Sequence, residues 1–149
     1  MTEYLETTFD KFTFRVATDR YYSSEGLWAQ PEGKRVRIGL SDFLQQRSGD
    51  VAFAEVNQPG TAAKAGEEVA TIETIKVNIS LTSPLNGRIV EVNPAMSTAP
   101  EAINQDPYGE GWLAVIEALD WEAERAALLD PQTYFTLMQG QAEDEIKKP

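Results

Sequence analysis

Apolar residues recur at every second position through much of this chain. Val36, Ile38 and Leu40 alternate with Arg35, Arg37 and Gly39 in segment 34–40, which puts the three on one face of a strand. Glu68-Val69-Ala70-Thr71-Ile72 and Val77-Asn78-Ile79-Ser80-Leu81 keep roughly the same period and are rich in Val, Ile and Thr. That is the pattern of half-buried strands. Between them stands Glu73-Thr74-Ile75-Lys76, so the spacing predicts a hairpin with a lone lysine at its bend. Further strands are expected through Val51, Phe53 and Glu55 to Val56, over 88–92, and over 112–116, the last one buried. Phe9, Phe12, Phe14 and Val16 alternate in part, which suggests an added strand or an ordered arm against the core.

Helical signals are short. Ser41 is a capping residue for a helix from Asp42 to Gln46 that ends near Gly49. Segment 93–104 reads as a loop with one helical turn, with Thr98 as a capping residue before Pro100. Asp120 is placed to cap a helix through Glu124 to Leu129. Asp130-Pro131 starts another, whose packing face is Tyr134, Phe135, Leu137 and Met138. Pro59-Gly60, Ala65-Gly66 and Ser83-Pro84-Leu85-Asn86-Gly87 punctuate the turns. The charged segment 141–149 is expected to fray. Similar strand pairs on both sides of Lys76 point to a small sandwich with approximate internal symmetry.

Composition narrows the chemistry. The 149 residues suit one domain with a genuine core, and no internal linker is visible. There is no cysteine and no histidine. Disulfides, thiolate nucleophiles, imidazole bases and the commonest zinc ligands are therefore absent, and Ser-His or Cys-His triads are impossible. The net charge is 13 − 24 = −11. Such a surface repels phosphate backbones and anionic lipid, which argues against nucleic-acid and membrane partners and for partners with basic patches. Met1-Thr2-Glu3-Tyr4-Leu5-Glu6 lacks the basic-then-apolar order of a signal peptide. The expectation is a cytoplasmic, monomeric protein.

A lysine at a strand bend is expected to stand clear of the surface, its ammonium in water and its stem unburied. Covalent attachment of a cofactor suits that position, although spacing alone favours an ordinary solvated surface lysine. The surroundings carry more information. They comprise Gly-Asp-Val-Ala-Phe-Ala-Glu-Val from Gly49 to Val56, Pro59-Gly60-Thr61, Lys64-Ala65-Gly66-Glu67, Glu73-Thr74-Ile75-Lys76 and Ser83-Pro84-Leu85-Asn86-Gly87. Val90-Glu91-Val92-Asn93 and Asn104-Gln105-Asp106-Pro107-Tyr108-Gly109-Glu110-Gly111-Trp112 follow. Together these resemble the H protein of the glycine cleavage system, a lipoyl carrier, from about Tyr21 to about Leu137. Asp-Pro-Tyr-Gly-Glu-Gly-Trp is the most specific string.

The resemblance implies a mainly β fold with short helices: a lipoyl/biotinyl-carrier-like β-sandwich with a lysine-bearing hairpin and C-terminal helices. It divides the chain into an N-terminal extension (1–20), a carrier domain (21–140) and a charged tail (141–149). Lys76 is implied as the covalent lipoyl site, with Glu73, Thr74, Ile75 and Val77 serving recognition and hairpin geometry. Trp112 is implied as a core anchor, and Asn104 and Glu110 are candidates to line a cleft for the arm. The cofactor is lipoate, attached by a lipoate-protein ligase or a lipoyl transferase. The implied role is that of a non-catalytic carrier working with glycine decarboxylase, aminomethyltransferase and dihydrolipoyl dehydrogenase.

One departure stands out. The family usually carries His-Glu-Trp before its first long strand, where this chain has Gly26-Leu27-Trp28. A second role therefore stays open: an H-protein-like lipoate-binding protein carrying sulfur intermediates for a heterodisulfide-reductase-like complex. A third is an unmodified scaffold, against which the intact Glu-x-x-Lys box argues. Biotin carriers flank their lysine with Met, whereas Ile75 and Val77 flank this one.

Overall fold

The computed structural model describes residues 2–147. The phenylalanine-bearing N-terminal segment forms its own antiparallel hairpin, β1 (Tyr4–Phe9) and β2 (Phe12–Ala17), turning through Asp10 at a φ of +58°. After the two-residue β3 (Tyr21–Tyr22) come β4 (Leu27–Glu32) and β5 (Arg35–Leu40). Helix α1 (Asp42–Ser48) starts where Ser41 accepts a hydrogen bond from Leu44 N–H, and it ends at Gly49 with φ +92°, as its cap residues predict. Strand β6 (Val51–Val56) and the short β7 (Ala62–Ala63) precede the lysine hairpin of β8 (Glu68–Thr74) and β9 (Asn78–Thr82). Beyond it lie β10 (Gly87–Val92), α2 (Ala95–Thr98), α3 (Ala102–Gln105), β11 (Ala114–Ala118), α4 (Trp121–Ala126) and α5 (Pro131–Lys147).

Six strands pair in the order β3-β4-β5-β11-β10-β7, and three in the order β6-β8-β9. One apolar cluster joins them: Val36, Ile38, Ile89 and Ile116 of the larger sheet meet Val56, Val69, Ile72 and Leu81 of the smaller. Two sheets sharing one core are the sandwich that the alternation predicts. Among the described residues no helix is long and apolar enough to cross a membrane.

A second cluster is aromatic and lies outside the sandwich. Phe14 and Val16 of β2, Phe43 of α1, and Tyr134, Met138 and Ala142 of α5 surround Tyr22 and Trp28. The rings of Tyr22 and Tyr134 stack at 4.5 Å. Burial pushes the Tyr134 phenol up to about 12, against the pull of its hydrogen bond with Ser41, so it stays protonated at neutral pH. Arg20, almost fully buried, sits 4.6 Å over the Trp28 ring and 5.2 Å from that of Tyr108, with its charge met by Asp19 at 2.8 Å. This cluster holds the N-terminal hairpin and α5 against the sandwich.

Several expectations need correcting. Phe53 lies in β6 as expected but is 68% exposed. Register slips at Ala52, where the step from Val51 to Phe53 faces the single step from Thr74 to Glu73. The extra residue reverses the alternation, so Ala54 and Val56 turn inward and Phe53 and Glu55 outward. Thr98 ends α2 and caps nothing; Pro94 and Glu101 occupy the two cap positions without side-chain hydrogen bonds. Helix α4 stops at Ala126, well before Leu129, which instead pairs with Tyr22 at the sheet edge. On α5 Leu137 points outward, and the buried face continues through Ala142. Segment 141–147, expected to fray, is helical to Lys147 because Ala142 packs into the aromatic cluster and Glu145 meets Arg47 at 2.6 Å. Residues 1, 148 and 149 of the expected extension and tail lie outside the described residues. Trp112 is half-buried under the Arg37 guanidinium, 4.6 Å from its ring; the fully buried anchor is Trp28.

The close approach of Gly39 to Trp28 gives a direct test. A Cβ at residue 39 would lie 2.5 Å from the indole. Gly39→Ala must displace a wholly buried ring, and a loss of about 1–3 kcal/mol is expected, read as a lower urea midpoint with an unchanged slope.

Candidate functional site

The tip of the β8–β9 hairpin is built by one hydroxyl. Thr74 Oγ1 donates to Val77 C=O at 3.0 Å and accepts from the N–H groups of Lys76 at 3.2 Å and Val77 at 3.0 Å. The Thr74 N–H closes the turn onto Val77 C=O at 2.8 Å. A threonine can make all three bonds, since a hydroxyl has one donor and two acceptor sites. Ile75 N–H donates to Asp50 C=O at 3.1 Å, which ties the tip to the start of β6.

Lys76 sits at the tip and is exposed. Among the described residues neither Lys76 nor Glu73 takes part in an ion pair. The lysine does not stand clear of the surface, however. Its Cγ, Cδ and Cε lie 3.4–3.5 Å from where a Cβ on Gly49 would be, so the stem lies back across that glycine. Glycine is required there for the positive φ that ends α1, while a Cβ would meet the lysine stem only at ordinary van der Waals distance. Ile75, 74% exposed, and Val77 present apolar shoulders beside the lysine. Glu73 is an exposed β8 residue opposite Phe53 and Asn78.

The ground under the hairpin is fixed by Asn104. Its Nδ2 donates to Gly49 C=O and to Gln45 Oε1, both at 3.0 Å, and its Oδ1 accepts from Val51 N–H at 2.8 Å. One carboxamide on α3 thus joins the end of α1 to the start of β6. Asn104 is a clamp and does not line the space beside Lys76. Glu110 is exposed, and its backbone closes the turn that starts at Asp106. Sequence reasoning missed the clamp because its partners lie more than fifty residues away along the chain.

The Asp106–Trp112 string is architectural. Trp28 Nε1 donates to Pro107 C=O at 2.9 Å, Arg20 donates to Tyr108 C=O at 3.1 Å, and Tyr108 Oη donates to Arg15 C=O at 2.7 Å. A Cβ on Gly111 would lie 2.5 Å from Ala102 C=O. The Gly26-Leu27 departure also has a physical account. Gly26 has φ +97°, and a side chain there would crowd the Tyr134 hydroxyl and Ser41, each within 3.2 Å. Leu27 is fully buried in the sandwich core. A histidine and a glutamate would not fit this packing.

Beside Lys76 runs a groove of about 250 Å³ lined by Phe12, Phe14, Phe43, Arg47 and Ile146, with the lysine itself on its wall. A long acyl group on the Lys76 nitrogen fits these surroundings. The nitrogen makes no ion pair among the described residues, the groove's carboxylate, Glu145, being paired with Arg47, and the neighbouring surface is largely apolar.

The chain is similar to known proteins over most of its length. The family description "Glycine cleavage H-protein" matches residues 20–141. A glycine cleavage system H protein from Thermus thermophilus is 38% identical over 127 residues, covering 85% of this chain and 98% of that protein. One from Stenotrophomonas maltophilia is 46% identical over 108 residues, covering 72% and 82% respectively. The crystal structure of a glycine cleavage system H protein from Mycobacterium marinum superposes with a TM-score of 0.72 at 30% identity, covering 80% of this chain and 95% of that one. The fold is the lipoyl-domain-like β-sandwich.

Two substitutions separate clamp from turn. Asn104→Ala strands partly buried groups of Gly49, Gln45 and Val51, and a loss of about 1–3 kcal/mol is expected with faster amide exchange at Val51. Thr74→Val keeps the shape and removes the hydroxyl from an exposed turn. It should leave the urea midpoint almost unchanged while amide exchange at Lys76 and Val77 rises.

Proposed function

The chain belongs to the glycine cleavage H-protein family, and from that premise we propose that it is a lipoyl carrier whose cofactor is joined by an amide to Lys76. What supports this is an exposed lysine without an ion-pair partner among the described residues, held on a turn that Thr74 locks from within. Amide formation with an activated lipoyl group, delivered by the ligase or transferase, would replace one N–H bond of the amine with an N–C bond as the activating group leaves the acyl carbon, and would remove the positive charge. The stem that rests on Gly49 then becomes the root of a longer, uncharged arm. Glu73, Ile75 and Val77 supply the features that a lipoate-protein ligase or lipoyl transferase reads: one carboxylate and two stiff apolar shoulders.

A lipoyl group would supply a disulfide whose S–S bond breaks as one sulfur takes up the aminomethyl group left by glycine decarboxylation, the other sulfur becoming a thiol. The protein's part is position and recognition. Its partners on this reading are glycine decarboxylase, aminomethyltransferase and dihydrolipoyl dehydrogenase, and its location is the cytoplasm. The charge of −11 favours docking sites with basic rims. A second role, sulfur carriage for a heterodisulfide-reductase-like complex, is favoured by one observation: Gly26 and Leu27 offer no polar side chain to a loaded arm.

Intact mass with peptide mapping of protein from its native host tests the carrier reading. One lipoyl group on Lys76 is expected, and Lys76→Ala should abolish it without moving the urea midpoint. Lipoyl on a different lysine, or an unmodified Lys76 in cells that lipoylate other proteins, would overturn the reading. Carbon dioxide release from glycine by glycine decarboxylase that depends on the loaded chain supports the first role over the second.

A further inference from the structure

Most of the groove beside Lys76 is made by parts of the chain that the family description does not cover. It matches residues 20–141, whereas Phe12, Phe14, Ala142, Glu145 and Ile146 all lie outside that range. Only Phe43, Gln46, Arg47 and Lys76 come from within it. The N-terminal hairpin and the last turns of α5 therefore add two walls to the α1 surface.

Those walls are firmly held. Gln46 Nε2 donates to Thr13 C=O at 2.9 Å and Arg15 N–H donates to an Asp42 carboxylate oxygen at 3.0 Å, fastening β2 to α1. Arg47 bridges from α1 to Glu145 of α5 at 2.6 Å. The Phe14 ring meets Phe43 edge-on at 5.3 Å and stacks beside Phe12 at 6.4 Å. Apolar rings make the floor, while Gln46, Arg47 and Glu145 supply the polar groups of the lining. At about 250 Å³ the space is smaller than the roughly 300–1,000 Å³ of a drug-sized ligand site and suits one short apolar chain end.

We infer that this groove is the resting site of the oxidised dithiolane end of the arm on Lys76, an inference that rests on the carrier reading above. Lys76 is itself part of the lining, so an acyl chain continuing from its nitrogen starts at the groove. The dithiolane is apolar, uncharged and rich in sulfur. Three phenylalanine rings offer it both burial and sulfur–aromatic contact. A wholly solvated arm would leave Phe12 and Ile146, 41% and 40% accessible, uncovered by the other described residues. The site holds the arm by contact alone and forms no bond.

The test uses the full-length lipoylated chain, with loading at Lys76 established first by intact mass. The probe is tris(carboxyethyl)phosphine, and the readout is the rate at which it reduces the dithiolane, with free lipoamide as reference. Reduction in the wild type is expected to be slower than for lipoamide. Phe12→Ala and Ile146→Ala, both at part-exposed positions, should each raise the rate roughly fourfold, the factor equivalent to about one lost methylene contact. Phe53→Ala, an exposed ring that does not line the groove, should leave it unchanged. Nuclear Overhauser contacts from the dithiolane methylenes to the rings of Phe12, Phe14 and Phe43 are expected alongside. A loaded chain reduced at the same rate in wild type, Phe12→Ala and Ile146→Ala overturns the resting site and leaves the carrier reading intact. A chain that cannot be loaded at Lys76 overturns both.

Discussion

Three hydrogen bonds from one carboxamide hold the ground on which the lysine hairpin stands. Asn104 satisfies the carbonyl of Gly49, the amide of Val51 and the side chain of Gln45 at once. Between Gly49 and Val51 lies Asp50, whose carbonyl accepts from Ile75 at the hairpin tip. The chain from α3 through Asn104, Asp50 and Ile75 therefore reaches the residue next to Lys76. Peptide groups in that corner have no ladder partner, and leaving partly buried groups unpaired is unfavourable. The clamp removes that penalty and fixes the geometry with the same bonds.

Two apolar clusters divide the structural work. The sandwich core positions β8 and β9 by ordinary strand pairing, so the hairpin has rigid roots and an exposed tip. The aromatic cluster packs what surrounds the tip: β2, α1 and α5, brought together by the Tyr22–Tyr134 stack and by Arg20 between Trp28 and Tyr108. Lys76 thus has both a fixed root and open space beside it. The two come from different clusters, and neither compromises the other.

Electrostatics act at longer range. With no histidine and no cysteine, the chain has no side chain whose ordinary pKa lies near neutrality. Burial raises the pKa of Tyr22, Tyr108 and Tyr134, which keeps them protonated, and hydrogen bonds raise those of the exposed Arg125 and Lys147, which keeps them charged. The surface charge is thus nearly constant across physiological pH and is available for steering partners rather than for proton transfer.

The strands, the Ser41 and Gly49 ends of α1 and the lysine at a bend were all legible in the chain, because they depend on local period and on residues adjacent in sequence. The family resemblance was legible because its strings are short and contiguous. Three features were not. The bulge at Ala52 that turns Phe53 outward depends on pairing with β8, and no local pattern marks it. The reach of α5 to Lys147 depends on Ala142 finding the aromatic cluster and Glu145 finding Arg47, against a local composition that favours fraying. The lysine stem lies on Gly49, and a groove opens beside it, only because segments from both ends of the chain pack around α1. Periodicity is local and survives in the sequence. Contacts between residues far apart in the chain depend on how the sheets and helices pack, and only the folded molecule decides them.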